Sequence, residues 1–249
     1  MKNLRVGLQK TSLVNFPGRV CAVVFLPGCN LRCPWCHNGE LATASVASGP
    51  HGETENEYIP LEEVFAHLEK RKNVLGGLAI TGGEPLLSPA LEICIHKARE
   101  LGLGVKIDTN GTLSDRLVTL LSNRDLRPDM IAIDLKTTPE RYGELTIESA
   151  AGERAATELR KSLALLDREV RAGALEVEFR TVLVPDLVTE RDLSVIAGLL
   201  PPNANWQLTA FAPGNCLDPA WNDREPYPPS EKDRLFKYAK TLVPTASFR

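Results

Sequence analysis

Six times along the chain a short apolar or β-branched run is followed by an amphipathic helical pattern, and this alternation restricts the fold more than any other feature. The pairs are 20–26 with 60–73, 77–81 with 88–101, 103–109 with 114–123, 129–136 with 153–173, 175–184 with 189–200, and 206–211 with 230–242. Short continuous apolar runs such as VCAVVFL suit strands covered on both faces, and the longer segments repeat at helical spacing. Ser88 (before Pro89), Thr189 and Ser230 are the expected N-caps, with Gly102 and Gly173 just past helix ends. Six βα units call for a parallel sheet with right-handed crossovers. The expected fold is an α/β partial (β/α)6 barrel, an incomplete TIM barrel, because unusual polar clusters close nearly every strand. An open doubly wound sheet is the alternative, but it gathers its ligand residues at one switch point.

At 249 residues the chain is long enough for one large domain, 1–249, that folds without staples, so its six cysteines are available for chemistry. No apolar run reaches the length of a membrane span, and the opening MKNLRVGLQKTSLVNF lacks the apolar core of a signal peptide, so a cytoplasmic protein is expected. A net charge of -3 offers no general attraction to nucleic acid or anionic membranes.

Three of the six cysteines fall in GCNLRCPWCHN, Gly28 to Asn38, at C-x3-C-x2-C spacing. A disulfide there would close a tiny loop, leave one sulfur idle and be disfavoured in a reducing compartment. A zinc site needs a fourth ligand: His37 is adjacent to Cys36 and poorly placed, Cys94 lies mid-helix and Cys216 far downstream. A cubane iron-sulfur cluster fits better. It normally takes four thiolates, so three would leave one iron open to a substrate or cofactor. Cys21 and Cys94 read as small core hydrophobes, whereas Cys216, in the long loop APGNCLDPAW, has no assigned role.

Cys29, Cys33 and Cys36, with the aromatic Trp35 before the last of them, resemble the signature of radical S-adenosylmethionine (radical SAM) enzymes. TGGEP, Thr81 to Pro85, follows one βα unit later, as that family's methionine-binding segment does. CHN at 36–38, QKTSLVNFPG at 9–18, DTNG and DLK resemble glycyl-radical-enzyme activating enzymes, most of all the anaerobic ribonucleoside-triphosphate reductase activating proteins. The likeness is strongest from Gln9 to Lys136.

The resemblance implies one [4Fe-4S] cluster on Cys29, Cys33 and Cys36 and S-adenosylmethionine on its open iron. It further implies a 5'-deoxyadenosyl radical that takes a hydrogen atom from a glycine of a partner enzyme. An external electron donor such as flavodoxin or ferredoxin is implied as well. No second cysteine cluster and no ferredoxin-like insertion is present. Carried over residue by residue, the cofactor contacts are Gly82, Gly83 and Glu84 for the methionine, and Thr109 and Asn110 for the ribose. Trp35, His37 and Phe211 fall to the adenine, with Leu135, Lys136, Arg180 and Val182 near the cofactor. Where related activators usually have glutamine, this chain has Thr209. No catalytic side chain is assigned.

Each of these residues also has a plainer reading. Gly82 and Gly83 can simply end a strand, Glu84 can cap a helical turn, Asn110-Gly111 is a common turn pair, and Trp35 and His37 can pack the loop. Strand alternation puts Asp108 with Lys106 and Asp134 with Lys136 on inward faces. The two aspartates then need a counter-charge: one of those lysines or, as in related activating enzymes, a monovalent cation. Arg180 either meets the cofactor or neutralises Glu178. The polar stretch from Ala42 to Tyr58 either borders a docking site for the partner or is a solvated loop. Two other functions stay open: a radical SAM enzyme acting on a small molecule, as in deazapurine synthesis, and a zinc-binding module without catalysis.

Overall fold

All six strand and helix pairs occur in the computed structural model, which describes residues 4–50, 58–146 and 149–249. The chain divides into two compact units. One comprises Met1–Leu31, Asn38–Thr109 and Asp115–Ile131, and the other comprises Arg32–His37, Asn110–Ser114 and Ala132–Arg249.

The first unit contains β1 (Arg5–Ser12), β2 (Cys21–Leu26), α1 (Gly39–Thr43), β3 (Ile59–Pro60), α2 (Leu61–Arg71), β4 (Gly77–Gly82), α3 (Ala90–Glu100), β5 (Gly104–Thr109) and α4 (Ser114–Ser122) apart from its first residue. Its strand order is β3-β1-β2-β4-β5. β2, β4 and β5 are parallel and nearly wholly buried, as strands covered on both faces must be. The additions to the sequence reading are β1, antiparallel to β2, and the two-residue β3. α2 and α3 carry acids in the first turn and bases in the last, in the sense that complements the helix dipole.

β6 (Met130–Asp134) starts in the first unit and ends in the second, which continues with α5 (Ser149–Arg171), β7 (Glu176–Leu183), α6 (Glu190–Ala197), β8 (Asn205–Ala210), α7 (Pro229–Leu242) and a short β9 (Ser247–Phe248). There the order is β6-β7-β8-β9, with β7, β8 and β9 parallel. α5 buries Ala155, Ala156, Leu159, Ser162, Leu163 and Leu166, a stripe at helical spacing. Thr189 caps α6 through the Asp192 carboxylate, which accepts from the Thr189 N–H at 2.9 Å and from its hydroxyl at 2.6 Å. Gly102 and Gly173 adopt the expected left-handed conformation, but Ser88 is a correction: Pro89 directly precedes α3, and the Ser88 hydroxyl accepts the Ala90 N–H at 3.2 Å from one residue earlier. Ser230 is a correction: Pro228 precedes the helix and Pro229 opens it, so Ser230 lies within the first turn.

Ala42–Pro50 and Tyr58 of the polar stretch are described, while residues 51–57 lie outside the described residues. Among the described residues, no helix is long and apolar enough to cross a membrane.

Candidate active site

In the first unit the cysteine loop leaves β2 at Leu26 and is locked at once by backbone bonds. The Gly28 and Cys29 N–H groups donate to the Leu41 and Ala42 carbonyls at 2.7 and 3.0 Å. The Cys29 sulfur accepts the Leu31 N–H at 3.4 Å. The TGGE segment closes on this shoulder: Gly83 donates to Leu26 O at 2.9 Å and Glu84 to Gly28 O at 2.7 Å. A Cβ on Gly82, whose φ is +120°, would lie 2.3 Å from Leu26 O, and one on Gly83 would lie 2.1 Å from Gly28 O. These glycines are therefore required by the chain's own backbone.

Glu84 is fully buried and caps the turn Pro85–Leu87 by accepting the Leu86 N–H at 3.0 Å. The same carboxylate oxygen accepts the Thr109 hydroxyl at 2.8 Å, which ties the end of β4 to the end of β5. The Asn38 amide donates to Gly82 O at 3.4 Å. On β5 the ammonium of Lys106 meets the carboxylate of Asp108, with both side chains buried.

In the second unit Cys33 and Cys36 share a turn in which the Cys36 N–H donates to Cys33 O at 3.0 Å. Arg32 N–H donates to Leu145 O at 2.7 Å, Leu217 N–H to Cys36 O at 2.9 Å and Asp218 N–H to Pro34 O at 3.0 Å. Trp35 is buried against Trp221, ring centroids 5.7 Å apart, and Phe211 meets Trp221 edge-on at 5.9 Å. His37 Nε2 bonds Ala212 O at 2.9 Å, so that nitrogen is already committed. These contacts match the loop-packing reading of Trp35 and His37. Asn110 Oδ1 accepts the Thr112 N–H and hydroxyl at 3.0 and 2.7 Å around Gly111, whose φ is +73°, so Asn110-Gly111 is a turn.

At the end of β6, Asp134 accepts from Lys136 at 2.9 Å and from Arg180 of β7 at 2.7 Å. Burial pushes the Asp134 carboxyl up, but the charges of Arg180 and Lys136 outweigh it and hold it below the usual carboxylate range. Burial likewise lowers Lys136, and the charges of Asp134 and then Cys33 more than reverse this. The ammonium is thus held charged within electrostatic reach of a candidate cluster ligand. The expectation that Arg180 could neutralise Glu178 is corrected: Glu178, buried on β7, pairs with Arg249 at 2.9 Å. Leu135 is fully buried and donates its N–H to Arg180 O at 2.8 Å, while Val182 is half-buried.

None of the six cysteines is in a disulfide. Cys21 and Cys94 lie in the core, and burial pushes the Cys94 thiol up to about 12, as expected for inert packing residues. Cys216 is buried within its own loop, donating toward Gly214 O and Trp221 O at 3.8 and 3.7 Å. Among the described residues no group of three His, Cys, Asp or Glu side chains is gathered as for a single ion. The donor set of the loop nonetheless suits a cubane. Three cysteines within eight residues are the kind of donor such a cluster takes, and an N–H already points at one sulfur. Of the weighed fourth zinc ligands, Cys94 is buried in α3 and His37 has its Nε2 engaged by Ala212 O.

Sequence reasoning missed Trp221, Tyr142 and Arg249. A tryptophan in a long proline-rich loop was a usable signal, because so large an apolar ring rarely stays solvated without a packing partner. Tyr142, fully buried, accepts the Lys136 N–H at 3.3 Å, and nothing in the sequence around it announced that contact.

The family model described as Radical SAM superfamily matches residues 23–187. A Methanocaldococcus jannaschii protein provisionally named a glycyl-radical enzyme activating enzyme is 30% identical over 100% of this chain and 97% of its own. The pyruvate formate-lyase-activating enzyme of Clostridium pasteurianum is 27% identical over 95% of this chain and 97% of its own. A 7-carboxy-7-deazaguanine synthase of Methanopyrus kandleri is 33% identical, but over 49% of this chain and 51% of its own. Among solved structures, Streptococcus suis SuiB bound to S-adenosylmethionine matches with a TM-score of 0.61 at 14% identity, over 91% of this chain and 51% of that one. This chain therefore spans about half of SuiB, and the likeness shows the shared partial-barrel α/β fold alone.

Proposed function

Because the chain belongs to the radical SAM superfamily, we propose that it is an activating enzyme that installs a glycyl radical on a partner enzyme, most specifically an anaerobic ribonucleoside-triphosphate reductase. The observation that carries this reading is likeness along the whole chain to the M. jannaschii protein and to a pyruvate formate-lyase-activating enzyme. The choice of reductase rests on CHN and QKTSLVNFPG. We read residues 1–249 as one radical SAM domain of a cytoplasmic enzyme.

Cys29, Cys33 and Cys36 would hold the [4Fe-4S] cluster. When bound, the cluster and S-adenosylmethionine supply the electron and the 5'-deoxyadenosyl radical that removes the glycine hydrogen. Lys136 and Arg180, both part-exposed at Asp134, would supply cationic donors for the methionine carboxylate. Glu84, its side chain held by Leu86 and Thr109, would accept a hydrogen bond from the methionine ammonium. Trp35, His37, Val182 and Phe211 would line the adenine, and Thr109 and Asn110 the ribose. Asp108 and Asp134 are the candidate residues for a monovalent cation, but each already has an ammonium partner. External flavodoxin or ferredoxin would deliver the electron.

A small-molecule substrate is the second reading, favoured by the partial likeness to deazaguanine synthases. Anaerobic reconstitution followed by incubation with S-adenosylmethionine, reductant and candidate partners separates the two. The expected result is about four irons per chain, release of 5'-deoxyadenosine and a glycyl doublet in electron paramagnetic resonance with one reductase. A colourless zinc protein overturns the cluster, and cleavage without a doublet on any glycyl radical enzyme overturns the activase reading.

A further inference from the structure

The loop between β8 and α7 bonds to the cysteine loop at more points than a passive connection requires. Leu217 and Asp218 donate their N–H groups to the carbonyls of Cys36 and Pro34, so a short stretch of backbone pairs with the C-terminal half of the cysteine motif. Ala212 O binds His37, and the Trp221 ring packs on Trp35.

The loop is itself rigidly made. Asp218 accepts the Ala220 N–H at 3.0 Å, Asn222 accepts the Cys216 N–H at 2.7 Å, and the Cys216 thiol donates inside the same turn. Arg224 lies 4.2 Å over the Trp221 ring and donates to Pro185 O at 3.2 Å, which anchors the loop to the turn after β7. Cys216 thereby acquires a role as part of the frame.

From these contacts we propose that Ala212–Asn222 is a clamp that sets the position of Cys36 and Trp35, with Trp221 as its positioning residue. The clamp acts through the peptide planes of residues 34–36: with the Cys36 carbonyl bound to Leu217 and its N–H to Cys33 O, both planes flanking its Cα are held, which fixes the Cα–Cβ bond and leaves the sulfur only its χ1 rotation. Its effect on cofactor binding rests on the cluster reading of the cysteine loop, and the clamp itself does not.

The test compares Trp221→Ala, Trp221→Phe and Asn222→Ala in the full chain. Hydrogen exchange of the Leu217 and Asp218 amides reads the clamp whether or not a cluster is present. Both amides are slow in the starting protein, speed up by on the order of tenfold or more in W221A, and stay slow in W221F, where a ring remains. In the reconstituted protein W221A raises KM for S-adenosylmethionine on the order of 10- to 100-fold and changes the resonance signal of the reduced cluster with S-adenosylmethionine bound. W221F stays near the starting protein. N222A, which removes the Cys216 N–H acceptor but no ring, gives the same changes at smaller size if W221A does not fold. Unchanged amide exchange in W221A overturns the clamp, as does an unchanged signal and KM when both amides have become fast. Slow amides in a chain that takes up no iron count against the proposed function and leave the clamp supported.

Discussion

Two aspartates, each with a lysine two residues away, sit on successive strands in mirrored order: Lys106-x-Asp108 on β5, and Asp134 closing β6 with Lys136 just beyond. In the first pair ammonium and carboxylate meet with side chains only 2% and 9% exposed. The second is open, 23% and 24% exposed, and Arg180 joins it as a second cation. A charge pair in a dry interior is costly to break. An open group, in which solvent reaches the carboxylate and both cations, is held less tightly. The same i, i+2 spacing thus gives a buried pair on one strand and a solvent-reached group on the next.

The largest effect that could break this comparison is on stability. Lys106→Met takes the ammonium from a buried carboxylate and is expected to cost about 3 to 5 kcal/mol, measured by urea unfolding of the metal-free chain. Adding Asp108→Asn should recover much of the loss, since a neutral amide carries no charge to desolvate. Lys136→Met should cost about 1 kcal/mol or less, because Arg180 still faces Asp134. Equal losses at the two lysines would end the distinction.

A smaller effect sharpens it. Asp134→Asn leaves Lys136 beside Arg180 without their shared anion and is expected to cost about 1 to 2 kcal/mol at pH 7. The folded carboxyl sits below its unfolded value of about 3.9, so its contribution is complete above that pH. It is lost as the pH falls through the folded value. The deficit of the variant should stay constant from about pH 8 down to about pH 4 and shrink only on further acidification. A deficit that fades near pH 6 would show that the two cations do not hold this carboxyl down.

How far all this was legible in the sequence depends on the kind of contact. The strands CAVVFL and MIAID announced themselves because burial on both faces leaves a continuous apolar run. β1, RVGLQKTS, did not, since much of it is exposed and only its pairing with β2 makes it a strand. Alternation identified which charges share a face, but a face does not name a partner. Arg180 found Asp134, and Glu178 found Arg249, 71 residues away. The need for glycine at Gly82 and Gly83 was readable, whereas the backbone of Leu26 and Gly28 that demands it was not. Contacts such as Leu217 to Cys36 run from main chain to main chain and leave no trace in side-chain identity.

The smallest expected effect bears on whether the open group needs an ion at all. A monovalent cation entering at Asp134 would compete with bonds of 2.9 and 2.7 Å from Lys136 and Arg180. The two charge-assisted bonds to this partly exposed carboxylate are together worth about 1 to 2 kcal/mol, and both donors are covalently tethered. A hydrated monovalent ion would have to lose water to bind there and would meet two positive charges on arrival. Exchanging potassium for choline in the buffer should therefore change the affinity of the reconstituted protein for S-adenosylmethionine by less than about twofold, a difference well under 1 kcal/mol. In Lys136→Met one of those donors is gone, and potassium should then restore part of the affinity that the substitution removes. A strong dependence on potassium in the unaltered protein would mean that the lysine vacates Asp134 when the cofactor binds, and the open group would then be a cation site with a displaceable lysine.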